Sequence, residues 1–150
     1  MKQIFFISFL VLLVNCTTTE KKKELSFEIP ETEKEKKVFL KEILEKDQTT
    51  REASTQARQE FGYESAEHLE AEKKIWSADK ENLEKVFFYL ETYGFPERDT
   101  YGKDGVAAIW LTLHHLNPPD NHLRREYFPY LYQAWKEGDM TDKEMSFFLN

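Results

Sequence analysis

From Lys34 to the end of the chain, apolar residues recur at spacings of three and four, and no stretch alternates with period two. This pattern predicts helices throughout. A first helix is expected over about Lys34 to Arg58, with Phe39, Leu40, Ile43 and Leu44 on one face and the same stripe running on into Asp47, Gln48 and Arg51. A second, more polar helix is expected over Ser65 to Trp76, anchored by Leu69 and Trp76. A third starts near Asp79, whose carboxylate can accept from the free amides of a first turn, and carries Leu83, Val86, Phe87 and Leu90 up to Gly94 and Pro96. Phe95 to Asp104 reads as a turn-rich loop, followed by a short apolar helix from Gly105 to Leu116 with Val106, Ala107, Trp110 and Leu113. Asn117-Pro118 would cap a fifth helix that buries Leu123, Phe128, Leu131 and Trp135 and stops at Gly138. Thr141 and Glu144 form a capping box for a last helix bearing Met145, Phe148 and Leu149. The expected architecture is an all-α, compact bundle of about five or six helices over residues 34–150.

The N-terminal segment has a different character. MKQIFFISFLVLLVNC offers one basic residue, Lys2, an apolar run from Ile4 to Val14, and Leu13-Val14-Asn15-Cys16. A bilayer-spanning helix needs roughly 20 apolar residues, so this run is too short to span and reads as an export signal. Leu13 stands three before Cys16, as a lipoprotein signal requires, and Leu13 and Asn15 fit poorly with an ordinary signal-peptidase site. Residues 1–15 are therefore expected to be removed and Cys16 to receive a diacylglycerol, which places the protein in the bacterial cell envelope, anchored to a membrane and facing away from the cytoplasm. Residues 16–33, polar and charged, read as a flexible tether with a reach of about 20–25 Å.

Cys16 is the sole cysteine of the 150 residues, so its lipidation leaves neither a disulfide nor a catalytic thiol. Removal of residues 1–15 leaves 135 residues, enough for one core, and takes Lys2 with it, moving the formal charge from −7 to −8. An acidic chain with pI near 5.2 argues against a nucleic-acid partner. The serines Ser26, Ser54, Ser65, Ser77 and Ser146 lie in no GxSxG elbow, and GKDG at Gly102–Gly105 has no companion phosphate motif, so no cofactor is expected.

Four polar positions stand out. Asp47 and Arg51, four apart, extend an apolar stripe: they form an intrahelical ion pair where the helix leaves the core, or they line a cavity in which burial demands further partners. His114 and His115 follow the apolar face of the short helix, so one points inward, either as a satisfied core histidine or facing Asp47 and Arg51 as an acid/base or ligand-orienting group. His114, His115, Asp120 and His122 match no standard zinc spacing, and no metal is expected there. Tyr127, Tyr130 and Tyr132 lie on more than one face of their helix and are candidates for contact with a protein partner.

Asp47-Gln48-x-x-Arg51, Asp79-x-x-Asn82, Tyr93-Gly94-Phe95-Pro96, Gly102 and an Ala-containing helix ending in His115 together resemble an uncharacterised bacterial family, domain of unknown function 6624, over about Lys34 to Asn150. The resemblance implies Asp47, Gln48, Arg51 and His115, rather than His114, as the recurring polar positions. It implies no activity. Members of that family continue through an Asp-Arg pair and a Gln-x-Tyr-Gly-Thr-Gln-like tail where this sequence ends at Asn150, which leads to the expectation of a more open pocket. The functional expectation is a lipid-anchored helical domain that binds a small ligand or peptide at Asp47, Gln48, Arg51 and His115. The alternatives are a hydrolase using His115 as base with Asp47 and Arg51, and a non-catalytic interaction lipoprotein.

Replacing Cys16 with Ala should remove the acylation site and move the protein from the membrane pellet to the soluble fraction or leave it unprocessed. Fractionation with mass spectrometry of the N-terminal peptide checks this. Unchanged membrane retention of Cys16→Ala with no lipid on the wild-type peptide would refute the anchor.

Overall fold

The structure, a computed structural model, describes residues 25–116 and 121–150; the signal, Cys16 and the Asn117-Pro118 cap fall outside them. Five helices make an all-α fold among these residues: α1 Glu33–Phe61, α2 Ala66–Tyr93, α3 Arg98–His114, α4 Asn121–Glu137 and α5 Asp142–Leu149. No helix among the described residues is long and apolar enough to cross a membrane.

α1 begins at a capping box. Thr32 accepts from the Glu35 amide, and the Glu35 carboxylate returns to the Thr32 amide. It ends at Gly62, whose φ of 95° lies in the left-handed region that a side chain disfavours. Three residues later Ser65 caps α2, so the two long helices form an antiparallel hairpin. Its register is fixed by polar rungs: Asn82 Nδ2 to the Ile43 carbonyl at 3.0 Å, Lys46 to Glu81, Arg51 to Asp79 and Ser54 to Glu72.

The hairpin is packed unequally along its length. The apolar core contains Phe39, Leu40 and Ile43 from α1 and Val86, Tyr89 and Leu90 from α2, closed by Ile109 and Leu113 of α3, Leu131 of α4 and Phe148 of α5. Past Ile43 the only buried residues of α1 are Asp47 and Ser54. α3 lies along the apolar half of α1, with Gly105 beside Leu40 just past the kink at Gly102 and His115 beside Asp47 at its end. Arg98 fastens the start of α3 to the α4–α5 connection through the Asp139 carbonyl at 2.8 Å and to α5 through the Glu144 carboxylate at 2.5 Å. Tyr127 of α4 stacks on Phe87 of α2 with centroids 4.1 Å apart and donates its hydroxyl to Glu91.

Several expectations need correction. The two helices expected on either side of Ser77-Ala78 are one helix, because neither residue breaks a helix and both flanks continue the same stripe. Asp79 is thus helix interior and not a cap. Leu69 and Trp76 point to solvent, and the stripe that does face inward is His68, Ala71, Ile75, Ala78 and Asn82. Of the expected loop from Phe95 to Asp104, only residues 95–97 lie outside a helix; α3 starts at Arg98, and turn character persists within it at Gly102, where φ 71° and ψ 179° kink the helix. In α4 Tyr127, Leu131 and Ala134 are buried while Trp135 is exposed, and in α5 Leu149 is exposed. Tyr127 belongs to the core and cannot belong to a partner-binding patch; Tyr130 is half-buried and Tyr132 exposed. Within the expected tether, Phe27 packs on Phe39 and Phe88, and the Pro30 carbonyl accepts from Tyr93 at 2.6 Å.

A Cβ on Gly105 would lie 2.8 Å from Tyr101 Cβ and 3.4 Å from Leu40 Cδ1. Gly105→Ala should therefore destabilise the protein by about 1–3 kcal/mol through overpacking, against the gain of about 1 kcal/mol that helix propensity alone predicts. The sign of the shift in urea midpoint decides between them.

Candidate functional site

Where the core ends, the hairpin seam becomes charged. Asp47 follows Ile43 by one turn on the core-facing stripe, so the helix that buries Leu40 and Ile43 also buries a carboxylate, whose side chain is only 3% exposed. An unpaired charge there would be expensive. Four groups surround it. Oδ1 accepts from Arg51 Nε at 2.8 Å and lies 3.0 Å from His115 Nδ1, and Oδ2 accepts from Gln48 Nε2 at 2.6 Å. Asp79 on α2 takes the other arm of Arg51, Nη2 to Oδ1 at 2.6 Å. Residues from α1, α2 and the end of α3 thus converge on one point.

Burial works to raise the Asp47 pKa, but the His115 hydrogen bond and the charges of His115 and Arg51 outweigh it and hold the carboxyl below its ordinary value. An ionised Asp47 can only accept, so His115 donates from Nδ1 and its Nε2 is left for something else. Asp79 goes the other way. Burial raises its pKa by more than Arg51 lowers it, and the neighbouring Asp47 charge adds to the rise. His114 packs against the ring of Phe147, with centroids 5.0 Å apart, and burial lowers its pKa, with the charge of His115 adding to the effect.

Asp47, Gln48, Arg51 and His115 are therefore brought together, and His115 rather than His114 faces the pair. Of the spacing His114, His115, Asp120 and His122, Asp120 lies outside the described residues. A different set, Asp47, Asp79 and His115, offers three ligand atoms within 4.8 Å of one another. Arg51 already bridges its two carboxylates, so a cation would have to displace the guanidinium. Sequence reading misses Asp79 by treating it as a cap; an unbroken α2 puts it three residues before Asn82, beside the buried stripe. It also misses Ser54, His68 and Glu72. Ser54 continues the stripe of α1 at seven residues from Asp47, and its hydroxyl donates to Glu72 at 2.5 Å and lies 3.3 Å from His68 Nδ1.

Comparison of the chain with protein-family models, with curated proteins and with solved structures gives no match. What the site does rests on its geometry.

The two carboxylates should behave differently. Asp47→Asn should cost about 3 kcal/mol, because it breaks a buried charged network. Asp79→Asn, which removes a half-buried ion pair whose carboxylate is already disfavoured, should cost under about 1 kcal/mol. Because the folded-state pKa of Asp47 is depressed, its contribution is full above the unfolded value of about 3.9 and is lost as pH falls through the lower folded value. Urea midpoints of wild type and Asp47→Asn should therefore differ at pH 7 and converge in acid below pH ~4. Equal costs for the two variants at neutral pH would overturn this assignment.

Proposed function

We propose that this is a lipid-anchored domain of the bacterial cell envelope that binds a small ligand through an anionic group, at the cluster of Asp47, Gln48, Arg51, Asp79 and His115. The observation carrying this reading is the Asp47–His115 contact at 3.0 Å together with the Arg51 fork on Asp47 and Asp79. Asp47 acts from behind. It fixes the His115 ring and the Arg51 plane, whose side chains stay 21% and 28% exposed, so that the free edge of Arg51 presents donors to an incoming group and His115 Nε2, a donor in the imidazolium and an acceptor in the neutral ring, stands beside it. Arg suits a planar or tetrahedral oxyanion because its donors are held in a rigid fork. The family resemblance, which singles out Asp47, Gln48, Arg51 and His115, supports the reading. The signal pattern ending at Cys16 supports the anchor.

A second reading is favoured by one detail of the same contact. A carboxylate bonded to Nδ1 of a histidine orients Nε2 as a general base, the arrangement that activates a water or hydroxyl in hydrolases, and Arg51 would then hold the developing anion.

The test uses full-length protein labelled with ¹³C at its four histidines. Titration with inorganic phosphate or acetate should move the His115 signal with a dissociation constant of about 1 mM or tighter, and Arg51→Gln should weaken it at least tenfold, roughly 1.4 kcal/mol. No shift of His115 with either anion would sink the binding reading. Hydrolysis of p-nitrophenyl acetate or phosphate above background, lost in His115→Ala, would favour the enzyme.

A further inference from the structure

One helical turn beyond this cluster the α1–α2 seam opens into a cavity of about 330 Å³. Its size falls at the small end of the ~300–1,000 Å³ range of ligand pockets. One side is polar and well buried: Ser54 is 4% and His68 5% exposed, and both border the cavity with Glu72. Arg58 borders the same cavity from the exposed face of α1, and no carboxylate pairs with it among the described residues. Tyr63, whose ring packs on His68 with centroids 5.2 Å apart, and Ile75 supply an apolar wall. Arg51 lines the end nearest Asp47.

The hydrogen-bond directions give this cavity two kinds of lining group. Ser54 has one proton, and it goes to Glu72 Oε1 at 2.5 Å. The contact between Ser54 Oγ and His68 Nδ1 at 3.3 Å must then be donated by the imidazole, which leaves His68 Nε2 an acceptor. Glu72 Oε2 is a second acceptor with no partner among the described residues. Glu72 and His68 therefore offer acceptors to the cavity, and Arg58, which also lines it, offers donors. A ligand matching both carries an ammonium group, which is donor-only, and a carboxylate, which is acceptor-only.

We propose that this cavity binds a free α-amino acid with an apolar side chain. The ammonium group lies on Glu72 and His68, the carboxylate on Arg58, and the side chain against Tyr63 and Ile75. Ser54 is a positioning residue: its hydroxyl joins His68 to Glu72 and holds the acceptor face together. A ligand with only one charge would leave either the acceptors or Arg58 unmatched, and discrimination by an unpaired polar group is strong. The site is separate from the Asp47–His115 pair and stands or falls without it.

The experiment compares L-leucine with 4-methylpentanoate, which lacks the amine, and 3-methylbutylamine, which lacks the carboxylate, using the same histidine-labelled full-length protein. L-leucine should shift the His68 signal with a dissociation constant of about 1 mM or tighter, and each single-charge analogue should bind at least tenfold more weakly. Arg58→Gln and Glu72→Gln should each lower the leucine affinity at least tenfold. Because Arg58 is exposed, its variant reports binding rather than folding. The proposal is overturned if leucine leaves His68 unmoved, if 4-methylpentanoate binds as well as leucine, which would make this a simple anion site, or if Arg58→Gln has no effect. Phosphate acting on His115 and leucine acting on His68 are read from different histidines, so the failure of either reading is distinguishable from the failure of the other.

Discussion

A carboxylate buried where three helices meet has to be satisfied, and much of the local architecture follows from Asp47. Its oxygens accept from Arg51 and Gln48 of its own helix and lie within bonding distance of His115 at the end of α3. The last of these is made by the residue that caps the end of α3. The helix runs beside α1 from Leu40 at Gly105 to Asp47 at His115, so its C-terminal end meets the charge that α1 has buried. Arg51 then needs a counter-charge for its second arm, and Asp79 supplies it from α2. Removing a direct partner of Asp47 would leave its buried charge short of a donor in low dielectric, whereas Arg51, 28% exposed, tolerates the loss of Asp79 better. The network thus commits α1, α2 and α3 to one relative register.

The same logic explains why the hairpin changes character along its length. Near Phe39–Ile43 and Val86–Leu90, α3, α4 and α5 complete an apolar core. Toward Gly62 the seam is held mainly by the pair of helices themselves, and two helices cannot cover each other's apolar faces. The inward positions accordingly become small or polar: Ala71 and Ala78, then Ser54 and His68. Directional bonds replace area. Such bonds contribute about 0.5–1.5 kcal/mol each, less than a buried Leu or Phe, so this half is the less stable one. Lower packing density also leaves room beside it, and that is where a cavity opens.

Much of the fold is legible in the sequence because helical periodicity depends on local spacing alone. The stripe Phe39, Leu40, Ile43, Asp47 turns Asp47 inward by its spacing, and the choice of His115 over His114 rests on the family resemblance. The misreadings come from residue preferences that tertiary packing overrides. Leu69 and Trp76 are apolar and read as anchors because apolar residues are more often inside; the true inward face of that stretch is His68, Ala71 and Ile75, whose polar and small members carry little hydrophobic signal. Asp79 reads as a cap because Asp favours that position, yet with no glycine or proline nearby the helix runs through it. Trp135 and Leu149 fail in the same direction as Trp76. Pairings such as Ser54 with Glu72 are tertiary, and a sequence does not reveal which face of a polar helix turns inward.

The position of the seam relative to the tether bears on the proposed anchor. Residues 25–32 pack at the Glu33 end of the hairpin, with Phe27 on Phe39 and Phe88 and Pro30 bonded to Tyr93. Asp47 is 14 residues and Ser54 21 residues along α1 from Glu33, so at 1.5 Å per residue they stand about 21 Å and about 32 Å from the point where the tether joins the helix. A lipid on Cys16 would hold that end toward the bilayer. The charged cluster and the cavity beyond it would then project from the membrane, where a polar solute reaches them without crossing the headgroup layer. On the proposed reading of a domain anchored at Cys16, the antiparallel hairpin would set the cluster and the cavity at the end away from the anchor.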